Sequence, residues 1–280
     1  MIVAQLTDFH VGRIIETEKG PIDLHDRMLE AVAHIKNMNP QPDLLMVTGD
    51  LSNHGNEVDY IRVREALQQL EIPIHIIPGN HDRRSMLRKV FADHTYWPQE
   101  GFIQYVLDEY PLRIIGLDTL VDGEHYGTLC EERLAWLAAR LDEARERPSL
   151  IFMHHPPFTT GLCYPDQLMC RNGEAFGDII ARHPQIQAII CGHVHRDVVT
   201  FWRGVPAYVT SSATFSNGLI LYPVDDIDPL FEPATCRLFQ WQNSSPPRRS
   251  GGRLTSHISF IGSYMFGQSE GVPTPPSNPM

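Results

Sequence analysis

The sequence has little cysteine and no framework for it. Its five cysteines (Cys130, Cys163, Cys170, Cys191 and Cys236) are odd in number, scattered, and never spaced C-x-x-C. That excludes a disulfide scaffold and points to reduced thiols in a cytoplasmic setting, although Cys163 and Cys170 share one loop and are near enough to be considered as a pair. Basic charge is scarce as well: 23 Lys and Arg stand against 34 Asp and Glu, a formal net charge of -11, with no Lys/Arg run. Such a chain has no general field to attract nucleic acid or an anionic membrane, so neither is expected as a partner. No apolar run approaches the ~20 residues that span a bilayer. The N-terminus passes straight into the strand-like run Ile2 to Leu6, with no basic leader and no cleavage site. No Ser or Cys is placed with a partner base as a nucleophile.

What is present is an ordinary globular composition, 42% hydrophobic and 20% charged. Apolar runs alternate with amphipathic stretches. Ile2 to Thr7, Asp43 to Thr48 and Ile74 to Ile77 read as strands; Asp23 to Asn37, with Asp23 as N-cap, and the stretch through Tyr60, Val63, Leu67 and Leu70 read as helices. Strand alternating with helix implies a parallel sheet with right-handed crossovers. Further on, Ile103 to Leu107 and Leu112 to Leu117 look antiparallel, and Glu131 to Arg147 is helical. Leu150 to Met153 is a strand, Asn172 to Arg182 a helix, and Ile186 to Ile190 a strand. Then the helices stop. Val198 to Trp202, Ala207 to Thr210, Gly218 to Tyr222 and Thr235 to Trp241 read as strands, Gln242 to Arg253 as a loop, and Gly267 to Met280 as a disordered tail. Residues 1–224 form the expected catalytic domain, and 225–266 complete it or make a subunit contact. Within the latter, Asp225 to Trp241 offers Leu230, Phe231 and Phe239 as apolar surface for a homo-oligomer.

Five strand ends carry ligand-type residues: Asp8 with His10, Asp50, Asn80 with His81, His154 with His155, and His193 with His195. Active sites of open α/β sheets sit at the carboxyl ends of strands. Residues i and i+2 point the same way where a strand ends, so Asp8/His10 and His193/His195 can converge. A single histidine in such a place is ordinarily structural, as His75 and His34 are expected to be. Five recurrences of the same grammar are another matter. Mixed carboxylate, imidazole and amide donors suit Mn, Fe, Co or Zn rather than Ca or Mg. About seven of these groups as direct ligands would exceed one tetrahedral site, which needs four. They fit two divalent ions roughly 3.5–4 Å apart, bridged by a carboxylate and clamping a phosphoryl group.

The motifs Asp8-x-His10, Gly49-Asp50 with Asn53 and Gly55, Gly79-Asn80-His81-Asp82, His154-His155 and Gly192-His193-x-His195 resemble the calcineurin-like metallophosphoesterases, in order and over residues 8 to 195. Ile77 to Asp82, Phe152 to Pro157, and Asp228-Pro229 through Cys236 are similar to the branch with bacterial class III cyclic nucleotide phosphodiesterases and glycerophosphodiesterases. The resemblance implies a four-layer α/β sandwich (αββα) with two mixed β-sheets. It implies one ion held by Asp8, His10, Asp50 and His195, and another by Asp50, Asn80, His154 and His193, with Asp50 bridging. His81 would stand beside the phosphate, as donor or as acid to the leaving alkoxide, with Asn80 and His195 also at the substrate. His155 would lie behind the ligands. The implied reaction is in-line attack of a metal-bridging hydroxide on a small phosphodiester, a 3′,5′-cyclic nucleotide or a glycerophosphodiester. A histidine frequent in the glycerophosphodiesterase type is missing from Thr214 to Asn217. A phosphomonoesterase or protein phosphatase on the same site is the alternative; a nuclease or a non-catalytic scaffold fits less well.

Overall fold

The computed structural model describes residues 1–243 and 251–262. The expected tail lies outside the described residues. Two mixed sheets organise the chain. The first runs in the order Gly252–Phe260, Thr235–Asn243, Ile2–Leu6, Leu44–Thr48, Ile74–Ile77, its last three strands mutually parallel. The second runs Val198–Trp202, Val205–Val209, Ile186–Cys191, Ser149–Phe152, Arg113–Gly116, Tyr105–Leu107, with four parallel strands between two antiparallel edges.

The central parallel strands are largely apolar because both of their faces are covered. Leu44–Thr48 and Ser149–Phe152 are buried at every position. In the second sheet the period-two alternation divides two cores. Ile114, Leu150, Phe152, Ala188 and Ile190 pack with the first sheet. Ile115, Ile151 and Ile189 face the other way, onto Leu137 and Leu141 of helix Glu131–Asp142 and Phe176 and Ile180 of helix Gly173–Ala181. Helices Leu24–Lys36 and Glu57–Leu67 bury Met28, Val32, Ile35, Tyr60 and Val63 in the core shared with the first sheet. Helix, sheet, sheet, helix makes four layers. Each fully buried Leu, Ile or Val adds ~1.5–3 kcal/mol. Asp23 caps the first helix as expected, its carboxylate accepting from the His25 amide at 3.0 Å, worth ~1 kcal/mol.

Several expectations need correction. Gly218–Tyr222 is not a strand: Leu219, Leu221 and Tyr222 are exposed, so the apolar run lies on the surface with no sheet to join. The helix from Glu131 ends at Asp142, not Arg147. Gln242 and Asn243, and Gly252 and Arg253, belong to paired strands and not to a loop; residues 244–250 between them are outside the described residues. Phe239 cannot offer surface for a partner. It is fully buried between the sheets, edge-on to Phe152 and Tyr208, and Phe231 is partly buried beside Phe215. Of the three residues named for a contact, Leu230 alone is exposed. All five cysteines are free. No helix among the described residues is long and apolar enough to cross a membrane.

Candidate metal centre

Because the central strands of each sheet are parallel, their carboxyl ends open on one side, and all five motif blocks sit there. The chain leaves these strands in an unusual way. Asp8, His10, Asp50, His193 and His195 have φ of 57°, 48°, 54°, 72° and 55°, the left-handed region that non-glycine residues seldom enter. Asp8/His10 and His193/His195 therefore converge through left-handed turns and not through the pleat of a continuing strand, as the spacing alone suggested. Strain of this kind persists only where the surroundings over-determine it. Here the amides of Asp8 and His10 donate to the carbonyls of Gly49 and Asp50 at 3.0 and 2.9 Å, locking one turn to the next.

Two glycines let the turns close. A Cβ on Gly192 would lie 2.2 Å from Thr7 Oγ1 and 2.8 Å from Asp8 Oδ2. One on Gly49, at φ 96°, would lie 2.5 Å from His154 Nδ1.

The histidines are held from behind. His154 Nδ1 donates to the Thr48 carbonyl (2.7 Å), His10 Nδ1 to Asn53 Oδ1 (3.1 Å), and His195 Nδ1 to the Phe215 carbonyl (3.3 Å). Each acceptor takes only a proton, so each neutral ring turns a bare Nε2 lone pair inward. Those lone pairs meet more acceptors. His154 Nε2 is 3.4 Å from Asp50 Oδ2, 3.9 Å from Asp8 Oδ1 and 3.1 Å from Asn80 Oδ1. His195 Nε2 is 3.3 Å from Asp8 Oδ1 and 3.1 Å from His10 Nε2, and the latter is 3.5 Å from Asp50 Oδ2. His193 Nδ1 adds a contact of 3.0 Å to Asn80 Oδ1. Asp50 Oδ2 thus faces both His10 and His154.

This donor set fits metal ions. Asp8 Oδ1 is buried with no hydrogen-bond donor, while Oδ2 accepts from Thr7 Oγ1 (2.6 Å) and the His193 amide (3.0 Å). Among the described residues, four groups of three donors lie close enough to share an ion, including Asp8 with His10 and His195, and Asp8 with Asp50 and His154. A buried cluster of lone pairs and carboxylates needs positive charge at its centre.

The titration behaviour says the same. Burial would raise the Asp8 carboxyl, but His195 and His154 hold it down at about 2. Asp50 is likewise held well below the usual carboxylate range by His154 and His81, against its burial. Burial alone would lower His154; Asp50 and then Asp8 outweigh it and bring the ring up to about 9. His10 and His193 are pushed down to about 3, chiefly by burial.

His81 stands at the edge. Its amide donates to Asp50 Oδ1 (2.8 Å), and its Nδ1 donates to the Asn53 carbonyl (2.9 Å). His155 does not reach inward as a free donor. Its Nε2 donates to the His125 carbonyl (3.3 Å) and its Nδ1 accepts from Thr119 Oγ1 (2.7 Å). Asp82, the last residue of the Gly79 quartet, ties the turns together: its carboxylate accepts from the amides of Leu51 (3.1 Å) and Gly79 (2.9 Å) and from Tyr60 OH (3.0 Å). Thr214, where a pocket histidine was looked for, instead donates to the Asp8 carbonyl at 3.2 Å. His34 and His75 are apart from the centre, His34 on Ser259 Oγ (2.8 Å) and His75 against Tyr96. Sequence reading missed His125, whose Nδ1 is 3.4 Å from Asn80 Nδ2; nothing but its place in an Asp-Gly-Glu-His turn marks it.

Residues 1–197 match the family model described as calcineurin-like phosphoesterase. The chain belongs to the calcineurin-like phosphoesterases. Over 265 residues, 94% of each chain, it is 32% identical to a probable glycerophosphodiester phosphodiesterase of Arcobacter nitrofigilis. Over 191 residues, 67% of this chain and 69% of the other, it is 38% identical to a probable cyclic nucleotide phosphodiesterase of Rhodopseudomonas palustris. Among solved structures, a dimetal phosphatase from Danio rerio shares the fold, with a TM-score of 0.62 at 15% identity over 93% of this calcineurin-like phosphoesterase and 99% of that chain. The four-layer sandwich is thus the family's own fold.

Proposed function

We propose that this calcineurin-like phosphoesterase is a dimetal phosphodiesterase acting on small diesters, either 3′,5′-cyclic nucleotides or glycerophosphodiesters. The observation that carries the reading is the convergence of three bare Nε2 atoms, those of His10, His154 and His195, on Asp8 and Asp50. Asp8, His10, Asp50 and His195 would hold one ion, and Asp50, Asn80, His154 and His193 the other, with Asp50 between. Two such ions, when bound, lower the pKa of a coordinated water, orient a phosphate and offset charge on its oxygens.

The chain's own residues supply the rest. A cavity of about 230 Å³ opens over the cluster, walled by His81, Asn80 and His195 together with Arg13, Phe215 and Asn217. His81, with Nδ1 committed to Asn53, keeps Nε2 for the substrate. From there it donates to a phosphate oxygen or protonates the departing alkoxide. The polar wall orients the diester, and the carbonyl oxygens of Thr48, Asn53 and Phe215 behind His154, His10 and His195 keep those rings from turning. Diester preference rests on the names of the relatives above.

The test is the Asn80→Ala, His154→Ala double variant, assayed on bis-p-nitrophenyl phosphate with metal content measured alongside. The reading expects turnover reduced by roughly 100-fold or more and a metal deficit of about one ion per chain. Full turnover by that variant contradicts it.

A further inference from the structure

A second cavity, of about 680 Å³, adjoins the first. Asn80, His81 and His125 wall both, so this ridge separates the space over the metal cluster from the larger one. A volume of this size accommodates a ligand the size of a nucleoside or an amino alcohol. The cavity over the cluster, at about 230 Å³, is the smaller of the two.

Three arginines, Arg83, Arg84 and Arg88, line the larger cavity, and two of them are committed elsewhere. Arg84 grips buried Asp118 with Nε at 2.7 Å and Nη2 at 2.8 Å, and reaches Asp122 at 3.2 Å. Arg88 donates to the carbonyls of Pro98 and Gly101 at 3.0 and 2.7 Å. Arg83 is different. Among the described residues its guanidinium has no carboxylate in ion-pair range. The residue is exposed, and its stem lies on the face of Gly55, where a Cβ would be 2.7 Å from Arg83 Cγ and 2.8 Å from Nε. Gly55 has φ 67°, so a side chain is disfavoured there on two counts. The Arg83 amide donates to Tyr60 OH at 2.8 Å. An exposed guanidinium without a carboxylate partner, on the wall of a cavity next to a phosphate-handling site, suits bidentate capture of an anion. Glu124 also lines the cavity and opposes this field, while Asp122 is engaged by Arg84.

We infer that the larger cavity receives one alcohol of the diester and that Arg83 binds an anionic group, carboxylate or phosphate, carried by that alcohol. This rests on the phosphodiesterase reading above and narrows its substrate class. The diesters turned over best would carry a second negative charge away from the scissile phosphate.

Two matched substrate pairs test it on the metal-loaded full chain. Glycerophosphoserine and glycerophosphoethanolamine differ by one carboxylate. The p-nitrophenyl esters of thymidine 5′-phosphate with and without a 3′-phosphate differ by one phosphate. In at least one pair, kcat/KM is expected to favour the anionic member, and Arg83→Gln to lower that ratio roughly tenfold or more, through KM. The pair that responds identifies the anionic group. Arg88→Gln removes the same charge from a guanidinium already committed to carbonyls, and is expected to keep both ratios. Ratios unmoved by Arg83→Gln in both pairs, or lowered equally by Arg88→Gln, overturn the inference. Hydrolysis of bis-p-nitrophenyl phosphate, run in parallel, reports separately on the phosphodiesterase reading itself.

Discussion

His154 Nδ1 donates to the carbonyl of Thr48 at 2.7 Å, so it is Nε2 that faces the carboxylates, and in the neutral ring that atom carries a bare lone pair. A neutral His154 is therefore a metal donor waiting for a cation. Without one, the charge deficit is met by a proton, and the ring rises to about 9, burial notwithstanding, because Asp50 and Asp8 face it. Loading metal at pH 7 should then release about one proton from this ring. Isothermal titration in buffers of different ionisation enthalpy measures it; heats independent of buffer would contradict the arrangement.

Removing the metal should also loosen the fold. Asp8 and Asp50 are both buried, and the histidines around them hold both ionised against that burial, leaving negative charge that a bound cation offsets. Any ion binding the native state stabilises it by mass action, ~3 kcal/mol at a hundredfold excess over Kd. Chelation is expected to lower Tm and Mn to restore it, as followed by differential scanning fluorimetry.

Gly192→Ala places a methyl 2.2 Å from Thr7 Oγ1 and 2.8 Å from Asp8 Oδ2. Thr7 is the hydroxyl that orients Asp8, at 2.6 Å. The expected outcome is a folded protein whose metal affinity falls ~10- to 100-fold, read by competition with a chelating dye.

Asp118 lies far from the ligands in its bonding, although it is fully buried. It takes a two-point contact from Arg84, and the amides of Ile103 (2.8 Å) and Leu120 (3.0 Å) donate to it. Asp118→Ala strands a partly buried guanidinium and two amides, at a cost of ~3–5 kcal/mol. Urea denaturation gives the figure directly, and metal stoichiometry in the folded fraction should be unchanged.

His75 makes stability depend on pH. Neither ring nitrogen has a hydrogen-bond partner, and burial, then nearby His94, push the ring down to about 4. The unfolded chain binds a proton near pH 6.5 and the folded one does not, so this contribution is intact above about 6.5 and is lost as pH falls towards 4. The loss is on the order of 3 kcal/mol at most. His75→Phe should flatten that part of the Tm–pH curve; an identical slope in the variant would refute the assignment.

Much of this was readable in the order of residues, for reasons that can be named. The strands Leu44–Thr48 and Ser149–Phe152 announce themselves because burial on both faces demands unbroken apolar runs. The ligands follow because each lies within a few residues of such a run. Other features leave weaker traces. Helix Arg84–Val90 buries only Leu87 and Val90, too few for a period to show. Strand Gly252–Phe260 is an edge whose half-buried threonine and serines and exposed histidine mimic a loop. Gly218 to Tyr222 misleads in the opposite sense, with apolar residues in water. The left-handed turns at Asp8 and His195 are hidden because no glycine marks them. His125 reaches Asn80 across 45 positions of sequence, a contact that only tertiary structure creates.

The central claim is that the cluster built on Asp8 and Asp50 serves diester hydrolysis. It is tested most directly by kcat/KM for bis-p-nitrophenyl phosphate against p-nitrophenyl phosphate, after reconstitution with Mn. The account predicts strong preference for the diester. Preference for the monoester would leave the metal centre in place and make the protein a phosphatase, contradicting the account.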